Sequence, residues 1–291
     1  MSTAAKPIIL SIQSNVAWGY VGNSAAVFAL QRLGFEVLQV HTVLFSNHTG
    51  YGQFRGQILS AEHIQSILTG LRERGVLHKV GAVLSGYLGN AETGSVILDA
   101  VGDIRHANPE LRYLCDPVMG DVGRGLFVNP AIPNFLRDQA IPFANIITPN
   151  QFEFELLTGA KLASIGEAVA VARQLRGRGP DTIIITSLAT PDIAADQLGT
   201  LAVNGTGAWL VTTPRIDLHP LPNGMGDVFA ATLLGRLMDG KALPQALELA
   251  TATLYSLVKA TAPGSRDLPL IAEQMQLVEP AAHFAAQAIA P

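Results

Sequence analysis

Residues 8–43, IILSIQSNVAWGYVGNSAAVFALQRLGFEVLQVHTV, decide the fold. The stretch opens on an apolar, β-branched run at 8–12 and passes a turn containing Gly and Asn. It continues as a helical pattern over 23–33 and returns to a β-branched run at 37–43. Strand, helix, strand at this spacing predicts a βαβ unit, because parallel neighbours need a crossover that a helix supplies. The pattern then recurs. Residues 82–84, 113–115, 146–148 and 182–186 read as strands; 61–74, 92–107, 132–139, 151–157 and 165–175 read as helices. Residues 201–203 and 209–212 flank Asn204-Gly205-Thr206-Gly207, the signature of an edge hairpin. Two long helices, 226–238 and 243–261, complete the core. Such alternation predicts an α/β fold of three layers, αβα, around a central, mostly parallel sheet. No repeat, low-complexity tract or linker divides the chain. The expectation is one domain over residues 1–291, with a small flap at 45–57, where Gly, Asn, His and Tyr concentrate.

Composition narrows the function. Of 291 residues, 48% are hydrophobic and 14% charged, and the mean hydropathy is +0.31, which suits a buried parallel sheet and a subunit interface. No run reaches 18 uninterrupted apolar residues, so no membrane span is expected. A net charge of −4 and a pI near 6.0 argue against nucleic acid as a partner. The start, Met1 to Lys6, lacks the pattern of a secretory signal, and Cys115 is the single cysteine. A cytoplasmic protein is expected, in which the sequons at Asn47 and Asn204 are chance matches.

Ligands of open parallel sheets bind beyond the carboxyl ends of the strands. Those ends hold most of this chain's unusual polar residues. Ser14 and Asn15 follow the first predicted strand; Ser46, Asn47, His48 and Thr49 follow the second. Ser85-Gly86-Tyr87, Asp116-Pro117, Thr148-Pro149-Asn150 with Glu153, and Thr186-Ser187 follow the next four. Each has an ordinary alternative as turn or N-cap chemistry. The collection of acids with few Lys or Arg nearby suggests a divalent cation bound with a phosphate, largely through water. A Walker-like match at 235–241 ends in Ala242 where Ser or Thr is needed, and no Gly-x-Gly-x-x-Gly follows the first strand. Asn223-Gly224-Met225-Gly226-Asp227, opening an apolar helix, remains as the anion site: helix N-termini present free N–H groups, and glycines let a phosphate approach. The same residues also make an ordinary helix start, so the stretch alone leaves both readings open. His48 reads either as an acid/base or as a hydrogen-bonded loop histidine, and Cys115 as a small buried hydrophobe.

Taken together, Ser11-Ile12-Gln13-Ser14, Gly19-Tyr20-Val21-Gly22-Asn23, Phe45-Ser46-Asn47-His48-Thr49-Gly50-Tyr51, Ser85-Gly86-Tyr87, Cys115 to Asp121, Ile147 to Glu153 and Gly224-Met225-Gly226-Asp227 resemble the pyridoxal kinases of the ribokinase-like superfamily over essentially the whole chain. Gly-x-Gly-Asp marks the superfamily, whereas the Phe45–Tyr51 segment and Ser-Ile-Gln-Ser select pyridoxal kinase over sugar kinases. The resemblance implies ATP-dependent phosphorylation of the 5′-hydroxymethyl group of pyridoxal, pyridoxine and pyridoxamine. It implies Ser14 and Thr49 as contacts to the pyridine ring, with Val21, Phe45 and Tyr87 lining that pocket. Asp116, Thr148, Asn150, Glu153, Thr186 and Ser187 would surround ATP and its cations, with Asp116, Asp121 and Glu153 on the metal side. Asp227 would be the catalytic base, which also touches the substrate, and the amides of Gly224, Met225, Gly226 and Asp227 the anion hole. Mg²⁺ with a monovalent cation (K⁺ or Na⁺) and a cytoplasmic homodimer follow by the same resemblance. Departures are Met225 where Thr is frequent, Phe127 where Tyr is often found, a Thr186-Ser187 pair of animal type, and a shorter 121–125 segment than in animal members. The nearest alternatives are a hydroxymethylpyrimidine kinase and a non-catalytic vitamer-binding protein. A carboxylate at a helix N-terminus is expected to be a weak base, since the dipole favours its charged form.

Overall fold

The computed structural model describes residues 6–290; the start at residues 1–5, read above as lacking a secretory signal, and Pro291 lie outside the described residues. In chain order the elements are β1 (Ile8–Trp18), α1 (Asn23–Arg32), β2 (Val37–Asn47), β3 (Gly56–Ile58), α2 (Ala61–Glu73), β4 (Val80–Ser85), α3 (Ala91–Ala107) and β5 (Arg112–Cys115). A small hairpin of β6 (Gly120–Asp121) and β7 (Gly125–Leu126) follows, then α4 (Ala131–Phe135), α5 (Ile141–Phe143), β8 (Ile146–Ile147), α6 (Gln151–Thr158), α7 (Ile165–Arg176) and β9 (Thr182–Leu188). The chain closes with β10 (Gln197–Val203), β11 (Ala208–Pro214), α8 (Met225–Met238), α9 (Leu243–Ala260), α10 (Met275–Val278) and β12 (Gln287–Ala288).

The main sheet has ten strands in the order β12-β11-β10-β9-β8-β5-β4-β1-β2-β3. Its six central strands, β9 through β2, pair in parallel, and the outer pairings are antiparallel. The three-layer expectation holds, and the two faces can be read from alternate residues of each strand. Leu10, Val83, Tyr113, Ile147, Ile183 and Leu201 pack on one face with α2, α3 and α7. Ile9, Ala82, Leu84, Leu114, Ile146, Ile184 and Ala202 pack on the other with α1, α8 and α9. α8 is buried from Val228 to Leu237, which explains why its sequence is apolar on all sides.

β1 lies between β2 and β4, so the chain winds outward in both directions from it and the sheet changes winding direction there. Two expected boundaries move at this point. β1 runs on to Trp18 and β2 to Asn47, so Ser14, Asn15, Ser46 and Asn47 lie inside paired strands instead of following them. Their polarity broke the apolar pattern without ending the pairing, which continues to Trp18↔Asn47. The β1–β2 register slips between Gln13 and Asn15, an irregularity centred on Ser14 of the kind that re-aims side chains. The flap is an antiparallel return: Val43, Leu44 and Phe45 of β2 face Ile58, Gln57 and Gly56 of β3, joined by a 3-10 turn at Thr49–Tyr51.

Candidate active site

The stretch read as an anion loop opens α8. Gly224 is the N-cap of α8, with φ 80 and no side-chain cap, so the first amides of the helix remain open. Only glycine fits here. A Cβ on Gly224 would stand 1.9 Å from the carbonyl oxygen of Tyr20. The loop after β1 is therefore pressed against the anion loop, and Gly22 in turn is pressed against Ser14, where a Cβ would stand 2.3 Å from the Ser14 Oγ. Ser14, Val21, Gly22 and the start of α8 thus form one contiguous wall.

Asp227 is the third residue of α8 and half-buried. The backbone N–H groups of Gly22 and of Asp227 itself face its carboxylate and hold its pKa down, but burial outweighs them and the pKa is raised above the ordinary aspartate value. This corrects the weak-base expectation drawn from the helix dipole alone: desolvation makes Asp227 more basic than an exposed aspartate.

Asp116, at the end of β5, is buried, and its Oδ1 accepts a hydrogen bond of 2.9 Å from Thr148 Oγ1. Its Oδ2 is 3.7 Å from the position a Cβ would take on Gly226, so this carboxylate faces the anion loop. Burial and then the charge of Asp227 push Asp116 up to about 7, against the pull of the Thr148 hydroxyl. Two facing carboxylates beside an anion loop are a donor set suited to a divalent cation that accompanies phosphates. Asp116 would hold such an ion, with Asp227 across from it.

Glu153 has a different place from the one expected. Its Oε1 accepts from the backbone N–H groups of Met119 (2.8 Å) and Gly120 (3.4 Å), and its Oε2 from that of Asn150 (2.9 Å). Asn150 completes a capping box by accepting from the Glu153 N–H at 2.9 Å, and its Nδ2 donates to the Gly120 carbonyl at 2.8 Å. Both side chains are thus occupied in bracing the β6–β7 hairpin against α6. Burial and Asp116 push Glu153 up to about 8, opposed by those amides. Asp121 is tied into the hairpin, its Oδ1 accepting from the Val122 N–H at 2.7 Å. Among the described residues no group of three His, Cys, Asp or Glu side chains converges on a metal-sized space, so Asp116, Asp121 and Glu153 do not form a direct ligand set.

Thr186 and Ser187 lie inside β9 near its end and do not follow it as expected; Thr186 is beside Asn150 through an Asn150↔Thr186 bridge. Ser187 has φ 54, an uncommon conformation for a non-glycine residue. Across the rim, Phe45 packs at a 50° tilt against Phe54, 4.8 Å between centroids, and Thr49 and Tyr87 lie on the flap and after β4. His48 Nδ1 accepts from the Gly50 N–H at 3.1 Å, which favours the loop-histidine reading; burial and Arg124 of the β6–β7 turn lower its pKa. Cys115 is buried with its thiol pushed up to about 12, an inert group as expected. Sequence reading missed two residues here, Arg266 and Asp267, which bond to the flap from a turn after α9.

The raised carboxylates predict a pH dependence. A carboxyl group whose folded pKa lies above its unfolded value of about 4 contributes stability that is complete below that value and is lost as pH rises through the folded pKa. The metal-free protein should therefore lose thermal stability between about pH 5 and pH 8, as Asp116 and Glu153 ionise through about 7 and about 8. Asp116→Asn should flatten that slope in a melting series, and Mg²⁺ with ADP should raise the midpoint more at pH 8 than at pH 6. An equal slope in wild type and Asp116→Asn would rule this out.

The geometry so far sets a glycine-opened helix N-terminus and two facing carboxylates at the switch in an α/β sheet. The model of the phosphomethylpyrimidine kinase family matches residues 24–270. Pyridoxal kinase PdxY of Rubrobacter xylanophilus is 50% identical over 284 residues, covering 97% of each chain. Pyridoxal kinase PdxY of Deinococcus radiodurans is 48% identical over 286 residues, covering 97% of this chain and 96% of that one. The solved pyridoxal kinase of Leishmania donovani in complex with ADP and pyridoxamine superposes with a TM-score of 0.90 at 29% identity, over 98% of this chain and 100% of that one. The chain belongs to the phosphomethylpyrimidine kinase family, and within that class of kinases it falls among the pyridoxal kinases.

Proposed function

We propose that the protein transfers the γ-phosphoryl group of ATP to the 5′-hydroxymethyl oxygen of pyridoxal, and of pyridoxine and pyridoxamine, in salvage of vitamin B6. The observation that carries the reading is Asp227 set against uncapped helix amides on one side and the Ser14–Gly22 wall on the other. The substrate hydroxyl loses its proton to Asp227 as its oxygen bonds to the γ-phosphorus. The bond from that phosphorus to the β–γ bridging oxygen breaks, and ADP leaves. Little deprotonation is needed early, because such transition states are loose. Positioning and the amides of residues 224–227 therefore contribute most. A bound Mg²⁺ would neutralise phosphate charge, and Asp116 would be the residue to hold it.

The ring-side assignments of Ser14, Val21, Phe45, Thr49 and Tyr87 rest on the family resemblance, and their position along one rim supports them. The nucleotide-side assignments of Thr148, Thr186 and Ser187 rest on the same two grounds. For Asn150 and Glu153 the reading becomes indirect: they hold the hairpin that borders the nucleotide. A monovalent cation, a homodimer and a cytoplasmic location also follow by resemblance. Exposed Trp18, Leu44 and Ile58, on the adjacent strands β1, β2 and β3, support a subunit contact, and no described helix is long and apolar enough to cross a membrane. Hydroxymethylpyrimidine kinase activity is the alternative reading within the family.

Pyridoxal, ATP and Mg²⁺ should yield pyridoxal 5′-phosphate and ADP in equal amounts; absence of both sinks the reading. Ser14→Ala should raise the pyridoxal KM about tenfold while the ATP KM stays near wild type, since a lost polar partner penalises the ring alone. Equal rises in both would remove Ser14 from the ring pocket.

A further inference from the structure

We propose that Arg266 and Asp267 form a latch that couples the flap to the anion loop, acting as positioning residues for phosphoryl transfer; the proposal rests on the kinase reading above. Both lie in a turn after α9, outside every motif that marks the site. The Asp267 carboxylate is shared between two loops. Its Oδ2 accepts from the Tyr51 hydroxyl of the flap, and its Oδ1 accepts from the Tyr20 N–H, at 3.4 Å, in the loop after β1. A Cβ on Gly19 would stand 2.8 Å from the same Oδ1, so the carboxylate sits directly against that loop. Arg266 grips the flap a second time: its Nη1 donates to the Gly50 carbonyl at 3.0 Å, and its guanidinium lies 5.8 Å from the Tyr51 ring centre.

The backbone of the pair is anchored to the anion loop. Asn223, immediately before Gly224, donates its N–H to the Arg266 carbonyl at 2.8 Å and its Nδ2 to the same oxygen at 3.1 Å, within an Asn223↔Asp267 bridge. Two residues thus join three segments, by side chain to the flap at Thr49–Tyr51 and to the 19–22 loop that packs on Gly224, and by backbone to the anion loop itself. The flap is otherwise an exposed edge hairpin, with residues 52–58 exposed, and such a segment is costly to order at each turnover. A latch that holds it in register with the phosphate cradle lowers that cost in advance of substrate.

Tyr51→Phe, Asp267→Asn, Asp267→Ala and the Tyr51→Phe/Asp267→Asn double variant of the full chain provide the test. In steady-state assays, Tyr51→Phe and Asp267→Ala should each raise the pyridoxal KM about tenfold, with the ATP KM and the melting midpoint near wild type. Asp267→Asn should be milder, since an amide oxygen still accepts a hydrogen bond. The double variant should be no worse than its worse single parent, because both changes remove one interaction. In the substrate-free protein, hydrogen exchange at residues 51–57 should speed up in Asp267→Ala. Multiplicative effects in the double variant, or KM changes that track a fall in melting midpoint for both substrates, overturn the latch. Exchange separates the two readings. Faster flap exchange in a protein that does not phosphorylate pyridoxal keeps the latch and removes the kinase reading, whereas unchanged exchange with normal wild-type turnover removes the latch.

Discussion

Asp227→Asn should lower kcat for pyridoxal about 10²–10⁴-fold while leaving the affinities for ATP and pyridoxal close to wild type. The amide is isosteric, so its oxygen still meets the N–H groups of Gly22 and of residue 227, and the start of α8 is preserved. What it loses is the ability to take a proton. The raised pKa of Asp227 strengthens the expectation, because burial has made this carboxylate a better base than an exposed one. The same change relieves Asp116 of a like charge, so its pKa should fall and the protein should gain stability near neutral pH. Rapid-quench turnover and equilibrium nucleotide binding measure the two halves. A variant with near-wild-type kcat would remove Asp227 from the base position.

The second large effect separates two glycines two positions apart. Gly224→Ala should fold poorly, because φ 80 disfavours a side chain and a Cβ would stand 1.9 Å from the Tyr20 carbonyl. The left-handed backbone alone costs roughly 1–3 kcal/mol, and the clash must displace the 19–22 loop that carries Gly22 and Val21. Turnover should fall about 10²–10³-fold, as when an oxyanion donor is misplaced. Gly226→Ala meets nothing closer than 3.7 Å, where Asp116 Oδ2 lies. Its melting midpoint should stay near wild type, yet its methyl group intrudes between Asp116 and the phosphate cradle and should raise the ATP KM by about tenfold or more. Thermal melting beside steady-state kinetics on both variants checks the pair. A stable, active Gly224→Ala, or a fully active Gly226→Ala, would place the phosphate elsewhere.

Much of this was legible in residues 8–43 and their repeats, because period-2 apolar runs joined by helical patterns admit few topologies. The glycine start of α8 and the position of Asp116 just after β5 were legible from residue type and pattern. Three kinds of feature were not. β3, β6, β7 and β12 are two or three residues long and leave no periodic signal. The far halves of β1 and β2 carry polar residues that are satisfied locally, as when Asn15 Oδ1 accepts from Ser24 Oγ of α1 at 2.9 Å and Ser46 Oγ donates to Asn47 Oδ1 at 2.7 Å, so an apolar pattern cannot mark them. The role of Glu153 was ambiguous: the Asn150-x-x-Glu153 spacing is equally a capping box, and the structure shows both carboxylate oxygens committed to backbone amides. Arg266 and Asp267 bond to Gly50 and Tyr51 across 216 residues, and no local pattern announces such a contact.

The central claim is that the generic phosphoryl-transfer loop at 224–227 is given its substrate by the wall and flap opposite it. Side-by-side initial rates of ADP formation with pyridoxal, pyridoxine, pyridoxamine and hydroxymethylpyrimidine, at fixed ATP and Mg²⁺, test it most directly. The account predicts turnover with the three B6 vitamers and a kcat/KM for pyridoxal at least about 10²-fold above that for hydroxymethylpyrimidine. A preference for hydroxymethylpyrimidine, or ADP release that no vitamer accelerates, would contradict it.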